Sequence, residues 1–384
     1  MTGEDDIVLK LLHTADWHLG RRFRAFPEEG ARRLARARLE VLERILGEAE
    51  RNQVHAVLCA GDLFDDVQPS KEWWEPLAAA FARRAWKDRP VFLLPGNHDP
   101  LVADSIWRNE RFRQALPDFV HVVDDEVLEA PLFGGAVLYA VPCLSKAGQA
   151  DPTLKIPPRA PGDERVRIGL VHGSTFDLEG WQTNFPISKD AAVSRGLDYL
   201  AIGDTHSFRF VPADRLVPPT IYPGAPEPTS FGEDDAGAVA VVFISRSRRA
   251  TVQKQRVAKW RWESVRIGSM DALRSLVARP DLGERVLRVT VELRVGAQDY
   301  EEAEGLLEQL AGTEARQGRA GVLVLDREAL ELDVADLEAQ AQVLPPVLQA
   351  AVRTLRTAAS DPARRDAAQR ALFHLFRTLR QGAH

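Results

Sequence analysis

"VHAVLCAGDLFDD" (residues 54–66) runs an apolar strand straight into a glycine and a carboxylate, Asp62. Upstream, "PEEGARRLARARLEVLERILGEAERNQ" (27–53) spaces its apolar residues at helical intervals, and before it "IVLKLLHTAD" (7–16) reads as a strand ending in Asp16. Downstream, Pro69 and Ser70 open the helix "PSKEWWEPLAAAFARRAW" (69–86), and "PVFLLPGNHD" (90–99) is a third strand, ending in Asn97 and His98. Strand, helix, strand order predicts parallel strands between helical layers, an α/β fold.

From about residue 119 the texture changes. "FVHVVDD", "VLEAP", "AVLYAVPCL", "VRIGLVHG", "YLAIGD", "TIYPG" and "AVAVVFIS" are short strands with few helices between them. They form a second set packed on the first, and the Pro-rich "TLKIPPRAPGDE" (153–164) reads as a surface loop. A domain boundary falls near 262. Beyond it "RVLRVTVELRV", "DYEEAEGLLEQLAG" and "AGVLVLDREALEL" predict a small α+β unit over 263–343. Residues 344–384 are helical, with Asp361 and Pro362 as cap and first turn of the last helix.

Composition narrows the function classes. The chain has 384 residues, 45% hydrophobic and 28% charged, with a formal net charge of −6. That balance argues against coating nucleic acid by bulk charge, but not against a local basic surface. Two cysteines exclude a disulfide framework and a thiolate metal site, and Cys59 reads as a buried apolar residue. The acidic start "MTGEDDIVLK" has no basic leader, and no apolar run is long enough to span a membrane, so a cytoplasmic protein is expected.

Metal-type ligands recur at the strand ends: Asp16 and His18 in "TADWHLG", Asp62 in "CAGDLFDD", Asn97 and His98 in "LPGNHDP", His172 in "LVHGS", and Asp204 and His206 in "AIGDTHSF". Residues i and i+2 of a strand point to one side, so Asp204 and His206 can face one ion; they can also form a polar turn. Each piece alone is weak, but five segments in one order, each after an apolar strand, carry weight together. Ligands usually bind at the carboxyl edge of an α/β sheet. Mixed oxygen and nitrogen donors favour manganese, iron or zinc over calcium, and two ions about 3.5–4 Å apart can share a phosphate. Glycines before Asp62, Asn97 and Asp204 would give the backbone sharp turns and leave room for that phosphate.

The order D-x-H, G-D, G-N-H-D, H-G, G-x-x-H resembles the calcineurin-like metallophosphoesterases. "HTADWHLG", "GDLFD", "PGNHD", "VHG" and "YPGAPEPTSFGE" (222–233) resemble most the SbcD-type DNA repair exonucleases, over roughly residues 8–262. The resemblance implies a four-layer sandwich, two mixed β-sheets flanked by helices, with a small capping domain and C-terminal helices. It implies two divalent cations, Mn2+ first and Fe2+ or Zn2+ as alternatives. Asp16, His18, Asp62 and His206 would hold one, and Asp62, Asn97, His172 and Asp204 the other, with Asp62 bridging. His98 would act on the phosphate as a catalytic residue without binding metal. The implied activity is hydrolysis of DNA phosphodiesters, as exonuclease or endonuclease. The implied partners are DNA and an SMC-like, SbcC-type ATPase docked on the C-terminal helices, with a homodimer possible.

Two positions depart from the family pattern. Asp204 stands in "GDTH" where the family usually has G-H-x-H, which leaves a ligand of harder character. Asp65 stands where such nucleases often carry a histidine. Rival readings remain. One is a phosphatase or phosphodiesterase for nucleotides or other small phosphoesters. The other is a non-catalytic binding protein, which the intact ligand set argues against. "VQKQRVAKWRWESVR" (252–266) interleaves Lys and Arg with Trp260 and Trp262, which fits either a DNA-contacting surface or an alternating strand with a solvated basic face. The segment from Pro346 to His384 carries seven arginines against two aspartates. It sets Leu372, Phe373, Leu375, Phe376 and Leu379 on one helical face, for a partner or for the cap.

Overall fold

The computed structural model describes residues 6–175, 184–211, 219–313, 316–333 and 345–381. It divides into two compact units, Met1–Trp260 and Arg261–His384.

The first unit is built from strands β1 (Ile7–Thr14), β2 (Ala56–Cys59), β3 (Val91–Leu93), β4 (Val120–Val122), β5 (Leu128–Pro131), β6 (Val137–Val141), β7 (Arg167–His172), β8 (Tyr199–Gly203), β9 (Arg209–Val211), β10 (Thr220–Tyr222), β11 (Ala238–Ser245) and β12 (Ala250–Arg256). Its helices are α1 (Glu28–Arg51), α2 (Lys71–Ala82), α3 (Glu110–Ala115) and α4 (Ala191–Ser194). One six-stranded sheet has the order β12-β11-β1-β2-β3-β4, the other β5-β6-β7-β8-β10-β9. Both are mixed: β1, β2, β3 and β4 run parallel, with β11 antiparallel beside β1. In the second sheet β6, β7, β8 and β10 are parallel between antiparallel edges β5 and β9.

Alternation along β1 shows how the layers are glued. Leu9 and Leu11 face the second sheet and join Leu138, Ile168, Leu170 and Tyr199 in the central core. Leu12 faces the other way, onto Val41, Leu42 and Ile45 of α1 and Leu77 of α2. The outer face of the second sheet is covered more thinly, by α4 and the turn around Ile156. Helix α2 ends at Ala82, short of the residue 86 expected from its sequence, and Ser70 caps it without a side-chain hydrogen bond.

The second unit contains β13 (Arg261–Ile267), α5 (Met270–Ala278), β14 (Arg285–Val295), α6 (Ala297–Ala311), β15 (Gly312–Thr313), β16 (Arg316–Gln317), β17 (Val322–Leu332), α7 (Pro346–Ala359) and α8 (Arg365–Gln381). Strands β13, β14 and β17 form a parallel sheet. Val352, Ala368 and Leu372 of the last two helices are buried, and Val352 and Leu372 share the apolar core of Leu287, Val289 and Leu307. Leu375 packs against that core, while the side chains of Phe373, Phe376 and Leu379 lie outside the described residues. Asp361 does not cap α8: its carboxylate accepts from Ala363 N at 3.0 Å in the preceding turn, and the helix starts at Arg365. The stretch 252–266 is two strands, β12 and β13, in different sheets. Trp260 between them is 2% exposed, with Arg33 over its ring at 5.2 Å. A buried indole offers no stacking platform for a base, which removes Trp260 from any DNA-contacting surface.

Candidate metal centre

The site forms where both sheets of the first unit end. The chain leaving β1 and the chain leaving β2 stay paired beyond their strands: Asp16 N donates to Gly61 O at 3.0 Å and His18 N to Asp62 O at 2.9 Å. Four of the expected ligands have left-handed backbones, with φ of 55° at Asp16, 44° at His18, 53° at Asp62 and 110° at Asp204. Such conformations cost roughly 1–3 kcal/mol each in side-chain-bearing residues and persist where the surroundings impose them. Here they turn each side chain from its strand end toward one point.

The first sheet supplies Asp16, His18, Asp62, Asn97 and His98, and the second supplies His172, Asp204 and His206. Ligand atoms of Asp16, His18 and His206 lie within 4.8 Å of one another, as do those of Asp16, Asp62 and His172. Asp16 is common to both groups, and Asp62 Oδ2 lies 3.8 Å from His18 Nε2 and 3.5 Å from His172 Nε2. Asn97 Oδ1 is 2.8 Å from His172 Nε2. Asp204 Oδ1 is 3.9 Å from the same nitrogen, Asp204 N donates to Asp16 Oδ1 at 3.0 Å, and Ser174 Oγ donates to Asp204 Oδ2. Asp204 is therefore inside the cluster, although its backbone also makes a turn. His98 forms a third group with His18 and Asp62, its ring edge-on to His18 at 4.8 Å between centroids. His98 N donates to Asp62 Oδ1 at 2.9 Å, and its side chain is the open one, 42% exposed.

Each ligand-type imidazole of the cluster is held by its Nδ1. His172 Nδ1 meets Ala60 O at 2.7 Å, His206 Nδ1 meets Glu233 Oε1 at 2.8 Å, and His18 Nδ1 meets Asp65 Oδ1 at 3.1 Å. Those acceptors assign the proton to Nδ1 and leave an Nε2 lone pair facing inward. The inward atoms then oppose one another: His18 Nε2 and His206 Nε2 are 3.0 Å apart, and His172 Nε2 faces the oxygen of Asn97. Acceptors pointed at acceptors repel unless a proton or a cation lies between them. The buried carboxylates call for the same remedy, so this donor set fits divalent cations.

The electrostatics follow from burial. Burial pushes the Asp16 carboxyl up to about 7, with Asp62 and Asp204 adding to the shift and His206 and His172 opposing it. Burial pulls His18 down to about 4. At His172 burial acts downward too, but the carboxylates of Asp62, Asp16 and Asp204 outweigh it and hold the imidazole well above its usual value. Burial at Asp62 is likewise overcome by His172 and His18, which keep this carboxyl well below the ordinary range.

Gly61 makes the sharp turn expected from the sequence, with φ of 91°, but the room beside Gly96 and Gly203 serves the site differently. A Cβ on Gly96 would come within 2.1 Å of Asp62 Oδ1, and one on Gly203 within 1.9 Å of Ala60 O. The room they leave is filled by the ligands and their supports, not by a phosphate.

Two supporting residues are not apparent from the sequence. Glu233 accepts from Thr229 N at 2.7 Å while it holds His206; burial acts to raise its pKa, but these bonds and the His206 charge bring it down to about 2. Asp99, fully buried, accepts from Gly96 N at 2.8 Å and Phe64 N at 3.0 Å, tying the loops after β2 and β3 together. Burial and the nearby Asp62 raise its pKa well above the usual range. Both lie inside quoted motifs, "TSFGE" and "GNHD", whose acidic ends were the available signal.

The calcineurin-like phosphoesterase family matches residues 9–208 of the chain. The Bacillus subtilis protein named Uncharacterized metallophosphoesterase YhaO is 26% identical over 272 residues, 69% of this chain and 64% of that protein. The D component of the SbcCD nuclease from Rhodobacter capsulatus is 42% identical over 94 residues, 24% of this chain and 22% of its own length. Its Bacillus subtilis namesake is 36% identical over 95 residues, again 24% and 22%. The chain thus spans less than two thirds of the length of each of these relatives.

Proposed function

The chain belongs to the calcineurin-like phosphoesterases, and we propose that it is a two-metal phosphodiesterase acting on DNA. The observation that carries the hydrolytic part is the set of inward-facing carboxylates and imidazoles at the two sheet ends, a donor set that fits divalent cations. DNA as the substrate rests on the partial similarity to the D component of the SbcCD nuclease and on the motif forms shared with it.

Two bound divalent cations, with Mn2+ the first choice, would supply positive charge for the phosphate oxygens and for an attacking water. The residues of the chain do the rest. Asp62 would bridge the two cations. Asp16, His18 and His206 would hold one with it, and Asn97, His172 and Asp204 the other. His98, the exposed imidazole beside Asp62, reaches the phosphate and protonates the leaving oxygen. The arginine-bearing faces of α7 and α8, with Arg353 and Arg365 exposed, would meet an SbcC-type ATPase, since Leu372 is already used inside the unit. No helix among the described residues is long and apolar enough to cross a membrane. The buried free thiols of Cys59 and Cys143 fit a reducing cytoplasm.

The test is hydrolysis of an end-labelled DNA duplex against bis(p-nitrophenyl) phosphate, each with Mn2+. Preferential cleavage of DNA is the expected result. Turnover of the small diester or of nucleotides, with DNA left intact, would replace this reading by the small-phosphoester one.

A further inference from the structure

We infer that Arg38 is a positioning residue: its buried guanidinium joins the loop that carries His18 to the loop that supports His206, and so fixes one cation position. The inference rests on the two-metal reading of the site.

Arg38 lies in the middle of α1 and points inward, 1% exposed. Its Nη1 donates to Trp17 O at 2.7 Å, and its Nη2 donates to Glu227 O at 2.9 Å and to Pro228 O at 3.0 Å. Trp17 is the residue between Asp16 and His18. Glu227 and Pro228 lead into Thr229, whose Oγ1 is 2.9 Å from His206 Nδ1 and whose N donates to Glu233, the acceptor behind His206. One planar group therefore spans the backbones beside His18 and His206, two of the three residues whose ligand atoms gather with Asp16 within 4.8 Å. A guanidinium presents its donors in a rigid fork, so it sets the distance between the carbonyls it holds. Among the described residues no other hydrogen bond reaches the carbonyls of Trp17, Glu227 or Pro228.

A purely structural role is a poor account of these contacts, because each loop has its own anchors. The Glu227 carboxylate is tied to α1 by Arg44 Nη2 at 2.7 Å and accepts from Lys259 N at 2.5 Å. The loop after β1 is tied to the loop after β2 through Asp16 N and His18 N. What Arg38 adds is the link between the two loops. Burial pulls its pKa down to about 10, with the Glu227 charge opposing, so the group stays charged at neutral pH. Its Nε is buried without a partner among the described residues. A buried cation with one donor unused is less favourable than hydrocarbon as packing for a helix. Its place is explained by the two imidazoles whose backbones it sets.

Calorimetric titration of the full chain with Mn2+ tests this without any substrate. The native protein is expected to bind two cations in resolvable steps, with His206→Ala marking one step and His172→Ala the other. Arg38→Met removes the donors and keeps an unbranched side chain. It should weaken the step marked by His206 by about 10- to 100-fold and leave the step marked by His172 unchanged. Arg38→Lys, which keeps the charge without the fork, should weaken the same step by less. Unchanged Mn2+ steps in Arg38→Met would overturn the inference alone, as would weakening of the step marked by His172. Equal weakening of both steps with a lowered melting temperature would overturn it too, since that marks general destabilisation. Failure of both Arg38 variants to fold would assign Arg38 to the fold and overturn it likewise. A native protein that takes up no Mn2+ would overturn the two-metal reading and this inference with it.

Discussion

Asp16, Asp62 and Asp99 of the first unit are at most 2% exposed, whereas among the described residues of the second unit no charged side chain is buried. There Arg279 and Arg285 pair with Glu263 at 2.9 and 2.7 Å, in side chains 18–31% exposed. Among the described residues no buried polar or charged side chain falls after Ser245, and the core around Leu287, Leu307 and Leu372 is apolar apart from Tyr300. Burying charges of like sign costs several kcal/mol each unless partners repay it. The first unit bears that cost mainly where carboxylates and imidazoles converge. The second shows what the chain does where no ligand must be held: its described core is hydrocarbon, and its ion pairs stay partly exposed. The converging carboxylates and imidazoles of the first unit fit a divalent cation.

The largest effect that can break this contrast is loss of the shared carboxylate. Asp62→Ala should abolish hydrolysis and reduce bound metal from two ions per chain to at most one. Elemental analysis finding two tightly held ions in that variant would rule out Asp62 as the bridge. His98→Ala comes next. It should keep both ions and lose turnover by about 10²–10⁴-fold, the range of a general acid; steady-state rates at saturating Mn2+ measure it.

In the second unit the prediction concerns stability alone. Leu372→Ala should cost about 2–5 kcal/mol by opening a cavity in an apolar core. Mn2+ stoichiometry should stay at two, and denaturant unfolding read beside metal titration separates the effects. If Leu372→Ala costs nothing, α8 is not part of this core and its apolar face is free for a partner. The smallest effect is expected at the surface: Arg279→Ala should change stability by no more than about 1 kcal/mol. A loss of several kcal/mol there would mean that the second unit relies on charge after all.

Much of the centre was legible because its candidate ligands are local signals. A strand followed by Gly-Asp, or by Asn-His, can be read in four or five residues, and the apolar runs of β1 and β8 announce which ends meet the ligand edge. The supports were harder to see. Glu233 lies 27 residues beyond His206, and only the return of the chain after β10 brings its carboxylate to Nδ1 at 2.8 Å. Asp65 was legible as a departure from a pattern, but its partner His18 is 47 residues earlier. Trp260 stood in a basic run that fitted either a DNA-contacting surface or an alternating strand, and its buried ring agrees with the second. The face of α8 could have served a partner or the cap, since hydrophobic spacing states that a face is buried but not against what.

By itself the sequence determined the layered α/β plan, the order of the strands that end in ligands, and the chemical type of each donor, because strand period, helix period and turn residues act over a few neighbours. Only the tertiary structure decided which donors face one another. It turned the backbones of Asp16, His18, Asp62 and Asp204 left-handed, set a carboxylate behind His18 and another behind His206, and spent Leu372 on the unit's own core. Those outcomes depend on distances between segments far apart in the chain, and a distance of that kind exists only once the sheets have packed.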